Sequence, residues 1–299
     1  MELYVFLCLI LSQLCSHYLL LIVLIKQKFK HGIFSYYSND QYIGKSLSEY
    51  GEWSEAEVSL LTQLLSVNEN IIEVGSNIGT HTIPLAKHVS KGGLVYAIEP
   101  QYQNHKLLLK NIKDNELHNI KILKVAISSK EGEAYMNTFD EDMTSNYGDS
   151  KIFSFNFKNA ESVHVKTLDQ LFYDEIEEKK SIELIKCDAQ GQELNIILGS
   201  RKIIDMYKPY LYLENDDIKT SKSLIEEIRR MGYIMFWHLP PLYNPNNFLK
   251  NTNNVFPKIM SCNMFCFHHS KKIKLNNLWK KLMITDSSDH PLKRNKKTY

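Results

Sequence analysis

The sequence predicts an α/β protein built on a Rossmann-like, doubly wound, seven-stranded and mostly parallel sheet. The first observation is that strand-like and helix-like segments alternate along most of the 299-residue chain, a pattern that produces a parallel sheet with helices on both faces. The second is that an apolar run at residues 71–74 passes through Gly75 and Gly79 into a helical pattern. Such a strand, turn and helix bring backbone N–H groups close to a ligand at the start of the helix.

Hydrophobic periodicity places the individual elements. It predicts strands near residues 70–74, 94–98, 120–125, 182–187, 209–213, 232–237 and 261–267, and helices near 80–88, 102–114, 192–206 and 219–231. Ser54 and Glu57 have the spacing of a capping box, which predicts a further helix beginning there. Residues 32–52 are polar and rich in tyrosine, and we expect little regular structure in them. Residues 139–160 are the least regular stretch inside the main domain.

The composition narrows the class of protein. A hydrophobic content of 43% is ordinary for one globular domain with appendages, and a net charge of +2 is too small to indicate a nucleic-acid partner. The five cysteines are odd in number and lack framework spacing, which argues against a disulfide-stapled secreted fold. A zinc cluster is one interpretation of Cys262 and Cys266, which are followed by His268 and His269. The cysteines alternate with apolar residues as strand positions do, so we predict no metal.

The N-terminal segment predicts attachment to a membrane. Residues 3–25 contain no Asp, Glu, Lys or Arg and are long enough to cross a bilayer as a helix. Because Lys26, Lys28 and Lys30 follow the segment and no basic residue precedes it, we predict a single-pass anchor with the main domain in the cytosol. A helix packed on the domain or lying in the interface is the alternative. The chain then divides into residues 1–31 (anchor or N-terminal hydrophobic helix), 32–270 (main domain) and 271–299 (basic tail).

The basic tail contains one helical pattern. Leu275, Leu278, Trp279 and Leu282 recur at helical spacing among lysines, which predicts a short basic amphipathic helix. Either Trp279 docks on the domain or the helix lies on an anionic leaflet. We expect residues 286–299 to be disordered.

The ends of the first two strands indicate the ligand. Glu99 ends the second strand, about 20 residues beyond the glycines, where an acid binds a ribose diol. In the dinucleotide fingerprint a second glycine lets the backbone approach a pyrophosphate, and here Asn77 stands in its place. Asn77 therefore disfavours NAD and FAD. An adenosyl ligand without a pyrophosphate fits better, and S-adenosylmethionine is the predicted cofactor.

Six motifs follow, in order, those of the FkbM-type methyltransferases. They are residues 73–79 (EVGSNIG), 96–100 (YAIEP), 125–128 (VAIS), 167–169 (TLD), 185–193 (IKCDAQGQE) and 209–214 (PYLYLE). The resemblance covers about residues 71–267. It implies the class I methyltransferase fold with one antiparallel strand near the end, S-adenosylmethionine as methyl donor, and the hydroxyl of a sugar or other small polar molecule as acceptor.

The resemblance and the strand ends together predict the cofactor site. The methionine portion is predicted to contact Glu73, Gly75, Asn77 and Gly79. The ribose is predicted to contact Glu99, and the adenine is predicted to contact Ala126. The alternative for Glu73 is that it only stabilises the turn. Similar proteins carry an Asn-x-Gly element beside the ligand, which makes Asn146 and Gly148 candidates against the alternative of a plain surface loop. Asp188 ends a strand at the carboxyl edge, where ligands of open α/β sheets bind, and is predicted to contact the donor amine or the acceptor.

The predicted catalytic residues are Asp188, His238 and Glu193. His238 has a side-chain pKa suited to general base catalysis near neutral pH, although a lone histidine also serves structural roles. Gln190 stands where the family usually has glutamate and cannot take a proton, and Glu193 compensates only if the turn reorients it. Asp188 with Glu214 and Asn215 admits a magnesium site, but carboxylates at strand ends are commonly solvated.

Three other functions compete with a membrane-tethered methyltransferase acting on a small-molecule or saccharide acceptor. Gln190 motivates a weak or inactive relative that serves as a binding or scaffold protein, and a large gain in turnover from Gln190→Glu would indicate a decayed enzyme. An NAD-dependent oxidoreductase is disfavoured by Asn77. A nucleic-acid methyltransferase is disfavoured because no Asn-Pro-Pro-Tyr-type motif is present and the basic residues cluster in the tail.

Overall fold

A computed structural model of the chain describes residues 23–138, 146, 152–158, 160–175, 181–273 and 277–294. Its strands are β1 (Leu24–Phe29), β2 (Gly32–Tyr37), β3 (Asn70–Val74), β4 (Val95–Ile98), β5 (Ile120–Leu123), β6 (Ala126–Ile127), β7 (Gly132–Asn137), β8 (Ile152–Phe153), β9 (Ala160–Lys166), β10 (Ile182–Cys187), β11 (Tyr210–Glu214), β12 (Tyr233–His238) and β13 (Asn263–His268). Its helices are α1 (Ile43–Tyr50), α2 (Glu55–Leu64), α3 (Thr82–His88), α4 (Tyr102–Asp114), α5 (Leu168–Glu175), α6 (Glu193–Leu198), α7 (Arg201–Tyr207), α8 (Ile218–Arg230), α9 (Asn277–Leu282) and α10 (Pro291–Arg294).

Seven strands form one mixed sheet in the order β12-β13-β11-β10-β3-β4-β5. The pairs from β11 to β5 are parallel, and β13 runs antiparallel to both of its neighbours. The α/β prediction is therefore confirmed, including its one antiparallel strand. The chain leaves β3 towards β4 on one side and later returns to β10 on the other. This reversal opens a crevice at the carboxyl ends of β3 and β10, where open α/β sheets bind ligands.

The two central strands are buried along nearly their whole length, as strands covered by helices on both faces must be. Each nevertheless carries one fully buried charged residue, Glu73 in β3 and Lys186 in β10. The parallel register places Lys186 of β10 directly beside Glu73 of β3. A buried ion pair thus lies in the centre of the sheet, one residue before the carboxyl edge.

The predicted long helix at residues 192–206 is two helices, α6 and α7. The chain between them passes so close to the start of the second sheet that a Cβ on Gly199 would lie 2.2 Å from the carbonyl oxygen of Ser128. Gly199, at the end of α6, therefore has no room for a side chain.

The prediction of little regular structure in residues 32–52 is wrong. β1 and β2 form an antiparallel hairpin, and α1 follows it. The side chain of Asn111 in α4 accepts the N–H of Ser35 at 2.6 Å and donates to its carbonyl at 3.1 Å, and Asn115 does the same for Ile33. These side-chain amides join the hairpin to the sheet domain, and such non-local partners leave no local sequence pattern.

The hairpin also shortens the segment that the sequence assigns to the membrane. Leu24 and Ile25 belong to β1, and residues 1–22 lie outside the described residues, as does any helix they form. Within the described ranges, no helix has the length and apolar character needed to cross a bilayer.

A second, four-stranded sheet in the order β6-β9-β7-β8 stands beside the main one. The sequence did not predict β7 and β9, because alternate positions of both strands are exposed and their apolar runs are short. β8 and the start of β9 fall within the stretch expected to be irregular.

The tail contains α9 as predicted, and its tryptophan docks on the domain. The Trp279 ring packs edge-on against Phe236 at 5.6 Å and against Phe265 at 5.7 Å. The expectation of disorder after residue 286 is wrong for the described part of the tail. The His290 imidazole is buried, contacts the carbonyl oxygen of Asn215 at 2.8 Å, and precedes α10.

Candidate functional site

A cavity of about 310 Å³ opens at the carboxyl edge of the main sheet. One half is lined by the turn after β3, the end of β4, and residues of β6 and β7. The other half is lined by the ends of β10 and β11 and by two segments remote in sequence, residues 42–57 and 242–263. The cavity lies at the crevice that the strand order creates.

The turn after β3 has a backbone conformation suited to glycine. Gly75 (φ 84°), Asn77 (φ 49°) and Gly79 (φ 93°) all have positive φ. The N–H groups of Gly75 and Ser76 both donate to the carbonyl oxygen of Ile98 at 3.0 Å, which ties the turn to the end of β4. Gly75 and Asn77 line the cavity.

Gly79 lies at the far side of the turn and does not border the cavity. A Cβ there would lie 2.9 Å from a methyl group of Leu108 in α4. Its absence of a side chain therefore serves the packing of α3 against α4.

Glu99 lines the cavity where the sequence predicts it. Its two carboxylate oxygens accept the N–H groups of Asn77 at 2.8 Å and Gln101 at 3.0 Å. Burial raises the pKa of Glu99 to about 7, against the effect of these hydrogen bonds. The carboxylate is therefore held rigidly, and it titrates near neutral pH.

Glu73 does not line the cavity, and its contacts favour the alternative of a turn-stabilising residue. It accepts the hydroxyl of Thr82, the first residue of α3, at 2.5 Å, and its other oxygen lies 3.7 Å from the Lys186 ammonium. Burial raises the pKa of Glu73, while Lys186 opposes that effect.

Asp188 lies in the cavity beside Gln190 and Glu214. The Gln190 amide donates to Glu214 at 3.2 Å and to Asp188 at 3.4 Å, and these two carboxyl groups also share a hydrogen bond with each other. Burial and then the neighbouring Asp188 raise the pKa of Glu214 well above its ordinary value. A glutamate at position 190 would be a third acid in this group.

We expect Gln190→Glu to be destabilising in a pH-dependent way. The new carboxyl group would lie beside two acids, so its pKa in the folded state would exceed its unfolded value of about 4.3. The folded state would then hold a proton that the unfolded state releases, and stability would fall as the pH rises through that interval. The melting temperature deficit of the variant should grow by about 2–4 °C between pH 5.5 and pH 8.

The matched control for this prediction is Gln192→Glu on the same turn, where an acid precedes α6 and interacts favourably with the helix N-terminus. It should show no such pH dependence. Equal pH profiles for the two variants would contradict the prediction.

The structure does not bring His238 and Glu193 to the cavity wall. His238 Nδ1 contacts the Tyr212 hydroxyl at 2.7 Å, and burial lowers the pKa of His238 to about 4, which leaves the imidazole neutral. Glu193 accepts the N–H of Ala189 at 2.8 Å, and burial raises its pKa to about 7. Glu193 therefore stabilises the turn that carries Asp188. The catalytic roles of His238 and Glu193 remain predictions.

Ala126 and Asn146 also border the cavity, whereas Gly148 lies outside the described residues. No group of three or more His, Cys, Asp or Glu in the described ranges has the arrangement of a metal site. Burial raises the pKa of the Cys262 thiol to about 12.

Sequence reasoning missed several residues of the cavity wall. Lys186 could have been found, because a lysine inside an apolar central strand signals a buried partner. Glu57 and His81 could not, since Glu57 has the spacing of an ordinary capping residue and His81 lies at the start of a helix. In the structure Ser54 has positive φ and donates to the Glu57 carboxylate at 2.6 Å without capping a backbone N–H of α2.

Comparison with known proteins gives a family and several distant relatives. The family model "Methyltransferase FkbM domain" matches residues 73–235, more than half of the chain. The tRNA(Phe) (4-demethylwyosine(37)-C(7)) aminocarboxypropyltransferase of Methanocaldococcus jannaschii is 38% identical over 71 residues, which cover 23% of this chain and 28% of that protein.

Solved structures resemble the chain at low identity. The methyltransferase FkbM from Methylobacillus flagellatus KT has a TM-score of 0.45 and 18% identity, covering 68% of this chain and 44% of that one. The O-methyltransferase TomG from Streptomyces achromogenes, solved in complex with SAM, has a TM-score of 0.43 and 9% identity, covering 72% and 78%. TYW2 of M. jannaschii, solved with AdoMet, has a TM-score of 0.41 and 14% identity, covering 81% and 84%. The chain thus spans less than half of the FkbM structure and about a quarter of the aminocarboxypropyltransferase.

Proposed function

This chain belongs to the FkbM methyltransferase family, whose members use S-adenosylmethionine, and from that membership we propose that it methylates a hydroxyl of a saccharide or another small polar acceptor. One observation carries the proposal. A single cavity joins the glycine turn and Glu99 to a second half lined by polar side chains. The donor and the acceptor would therefore meet inside one enclosed site, as methyl transfer requires.

Residues of the glycine turn and of the strand ends fit the donor. Glu99 would hold the ribose diol, Ala126 would contact the adenine, and Asn77 and Asp188 would hold the methionine portion. The lining contains more acids than bases, which suits a ligand with a positively charged sulfur. When bound, S-adenosylmethionine supplies an electrophilic methyl group. The protein aligns the acceptor with that group and excludes water.

The cavity has proton acceptors even though Gln190 replaces the usual glutamate. Glu57 and Asp188 both border it, so replacement of the usual glutamate leaves other carboxyl groups close to the acceptor half. This supports an active enzyme over the alternative of an inactive binding or scaffold protein.

The test is calorimetric titration of the full chain with S-adenosylmethionine and S-adenosylhomocysteine. Glu99→Ala should weaken both by about 10–100-fold, since a hydrogen bond to a charged group contributes about 1.5–3 kcal/mol. The exposed Glu131→Ala is the matched control and should bind as the native chain does. Thermal melts establish that the variants are folded. A folded native chain that binds neither ligand would refute methyl transfer and favour the scaffold function.

Binding of the adenosyl portion should strengthen as the pH rises. Because the pKa of Glu99 is about 7, its ionised fraction increases about tenfold between pH 6 and pH 8. The hydroxyl groups of a ribose diol donate hydrogen bonds, and these favour the ionised form of the Glu99 carboxyl group. We expect the affinity for 5′-methylthioadenosine, which has the diol but not the titrating methionine groups, to rise about tenfold over this range. Titrations with Glu99→Gln should be independent of pH, and a native profile equally flat would contradict the assignment of Glu99.

We also propose that residues preceding the hairpin attach the protein to a membrane, with the catalytic domain in the cytosol. Because β1 begins at Leu24, residues 3–22 are available for an anchor, close to the roughly 20 residues that a spanning helix needs. The basic residues that follow contact the domain: Lys26 pairs with Asp114 at 2.8 Å and Lys30 with Glu55 at 3.0 Å. Membrane fractionation of the full chain and of a chain beginning at Val23 tests this. Equal recovery of both in the soluble fraction would refute it.

A further inference from the structure

We infer that the second half of the cavity is a subsite for an uncharged, hydroxyl-rich acceptor such as a glycoside, and that Glu57 takes the proton of the hydroxyl being methylated. The inference rests on the proposed methyl transfer. It concerns mainly two segments of the cavity wall, residues 42–57 and 242–263, which lie outside the matched residues 73–235, together with His81, which lies inside them.

Many hydrogen bonds hold these two segments together as one wall. Glu52 accepts the side-chain amide of Asn244 at 2.6 Å and the N–H of Phe248 at 3.0 Å. The Tyr50 hydroxyl accepts the N–H of Val255 at 2.7 Å and donates to the carbonyl oxygen of Asn253 at 3.1 Å. The wall is therefore preformed, as a specific subsite requires.

Two groups of the lining, Glu57 and His81, match a hydroxyl. Glu57 is buried, accepts the Ser54 hydroxyl and a hydrogen bond from Ser261, and has its second oxygen 3.6 Å from His81 Nε2. The His81 side chain is only 6% exposed, and its Nε2 has no hydrogen-bond partner among the described residues. Because a buried polar nitrogen without a partner is costly, we assign it to the ligand. A hydroxyl both donates and accepts, so one such group satisfies Glu57 and His81 together.

The charges of the lining select against anionic acceptors. Its one described lysine, Lys186, lies 3.7 Å from Glu73 and 3.9 Å from Asp188, so protein carboxylates already surround it. Burial lowers the pKa of His81 well below its ordinary value, and Lys186 adds to this, so the imidazole is neutral. The acids of the lining are Glu57, Glu99, Asp188, Glu214 and Asp216. A phosphate or carboxylate on the acceptor would meet these groups without a free cation among the described lining residues.

The aromatic side chains of the wall favour a ring-shaped acceptor. Tyr42 and Trp53 line the cavity together with the polar residues Ser261 and Asn263. A pyranose ring has an apolar face of C–H groups and a rim of hydroxyls. Aromatic rings beside a few polar groups are the surfaces on which such an amphipathic ligand is bound.

The proposed step balances. The acceptor oxygen forms a bond to the methyl carbon while the bond between that carbon and the sulfur breaks, and the electron pair of that bond stays on sulfur. The hydroxyl proton passes to the Glu57 carboxylate. Burial raises the pKa of Glu57, with Lys186 opposing it, which stabilises the protonated form that the step produces.

The test measures transfer of a labelled methyl group from S-adenosylmethionine to the methyl glycosides of glucose, galactose, mannose and fucose by the full chain. Glucose 6-phosphate, glucuronic acid and galacturonic acid are the charged counterparts. We expect turnover of a neutral glycoside and at least about tenfold slower turnover of its charged counterpart, because a buried unpaired anion costs more than a neutral group. Faster turnover of the charged sugars would overturn the subsite's charge preference.

Variants of the two wall residues test their roles. Glu57→Gln should lower kcat about 10²–10⁴-fold, the usual contribution of a general base, with donor affinity unchanged. The matched control Glu55→Gln, on the same helix but outside the lining, should keep the native kcat. His81→Phe should raise the KM for the glycoside several-fold with donor affinity unchanged. This second variant keeps the test valid if Glu57→Gln does not fold.

The outcomes separate the inference from the proposed function. Absence of donor binding by the folded native chain refutes methyl transfer altogether. Donor binding without turnover of any neutral glycoside overturns the acceptor class, and native kcat in Glu57→Gln overturns the assignment of the proton acceptor.

Discussion

Replacing Lys186 by methionine will lower the free energy of unfolding by about 3–5 kcal/mol, the cost of removing one partner of a buried ion pair. Lys186 is 1% exposed and lies beside Glu73 in the centre of the sheet. Burial alone would lower the pKa of Lys186, but Asp188 and Glu73 outweigh it and raise the pKa, so the side chain stays charged. Methionine matches its length and leaves the carboxylate of Glu73 buried without a cation.

Urea unfolding of three variants measures this effect. The surface pair of Lys166 and Asp174, at 2.7 Å with side chains 35% and 36% exposed, supplies the control, and Lys166→Met should cost less than about 1 kcal/mol. Combining Lys186→Met with Glu73→Gln should restore part of the loss, because the uncompensated charge is removed. Equal losses in Lys186→Met and Lys166→Met would show that the buried pair is not a structural centre of the sheet.

Replacing Gly75 by alanine will lower the free energy of unfolding at least as much as Lys186→Met does. It will also abolish binding of the methyl donor. Gly75 has φ of 84°, and a Cβ there would lie 1.8 Å from the carbonyl oxygen of Asp188. The obstacle is backbone, so no side-chain rotation relieves it. The turn after β3 and the end of β10 must separate, and both of these segments line the cavity.

Gly191 offers a matched comparison for the same substitution. Its φ of 89° is nearly equal to that of Gly75, but no atom lies within 4 Å of a Cβ built on it. Gly191→Ala should therefore lower the free energy of unfolding only by the backbone strain of about 1–2 kcal/mol. Gly75→Ala should lower it by several kcal/mol more. Thermal melts and titration with S-adenosylhomocysteine measure the two effects, and similar values for both variants would contradict the role of close approach at Gly75.

The two halves of the cavity differ in how much of each belongs to the matched family region. The half assigned to the donor is built from the matched region, whereas Tyr42, Trp53, Glu57 and Ser261 of the other half come from segments outside it. Differences in acceptor among relatives are therefore expected to follow those two segments rather than the glycine turn.

Sequence reasoning alone predicted the elements of the main sheet, the turn with Gly75 and Asn77, and the position of Glu99. These features follow from hydrophobic periodicity and from strand ends, which depend on residues close together in the chain. The alternation of strands and helices predicts a parallel sheet, but it does not predict the order of the strands, which sets the place of the crevice.

Which side chains share the cavity depends on contacts that form only in the folded chain. Strand register placed Lys186 beside Glu73, packing of residues 42–57 against 242–263 brought Glu57 to the site, and the Tyr212 hydroxyl lies between His238 and Asn263. The hairpin β1–β2 depends on Asn111 and Asn115, about 80 residues away. Contacts between residues far apart in sequence form only when the chain is folded, and no local pattern of residue types records them.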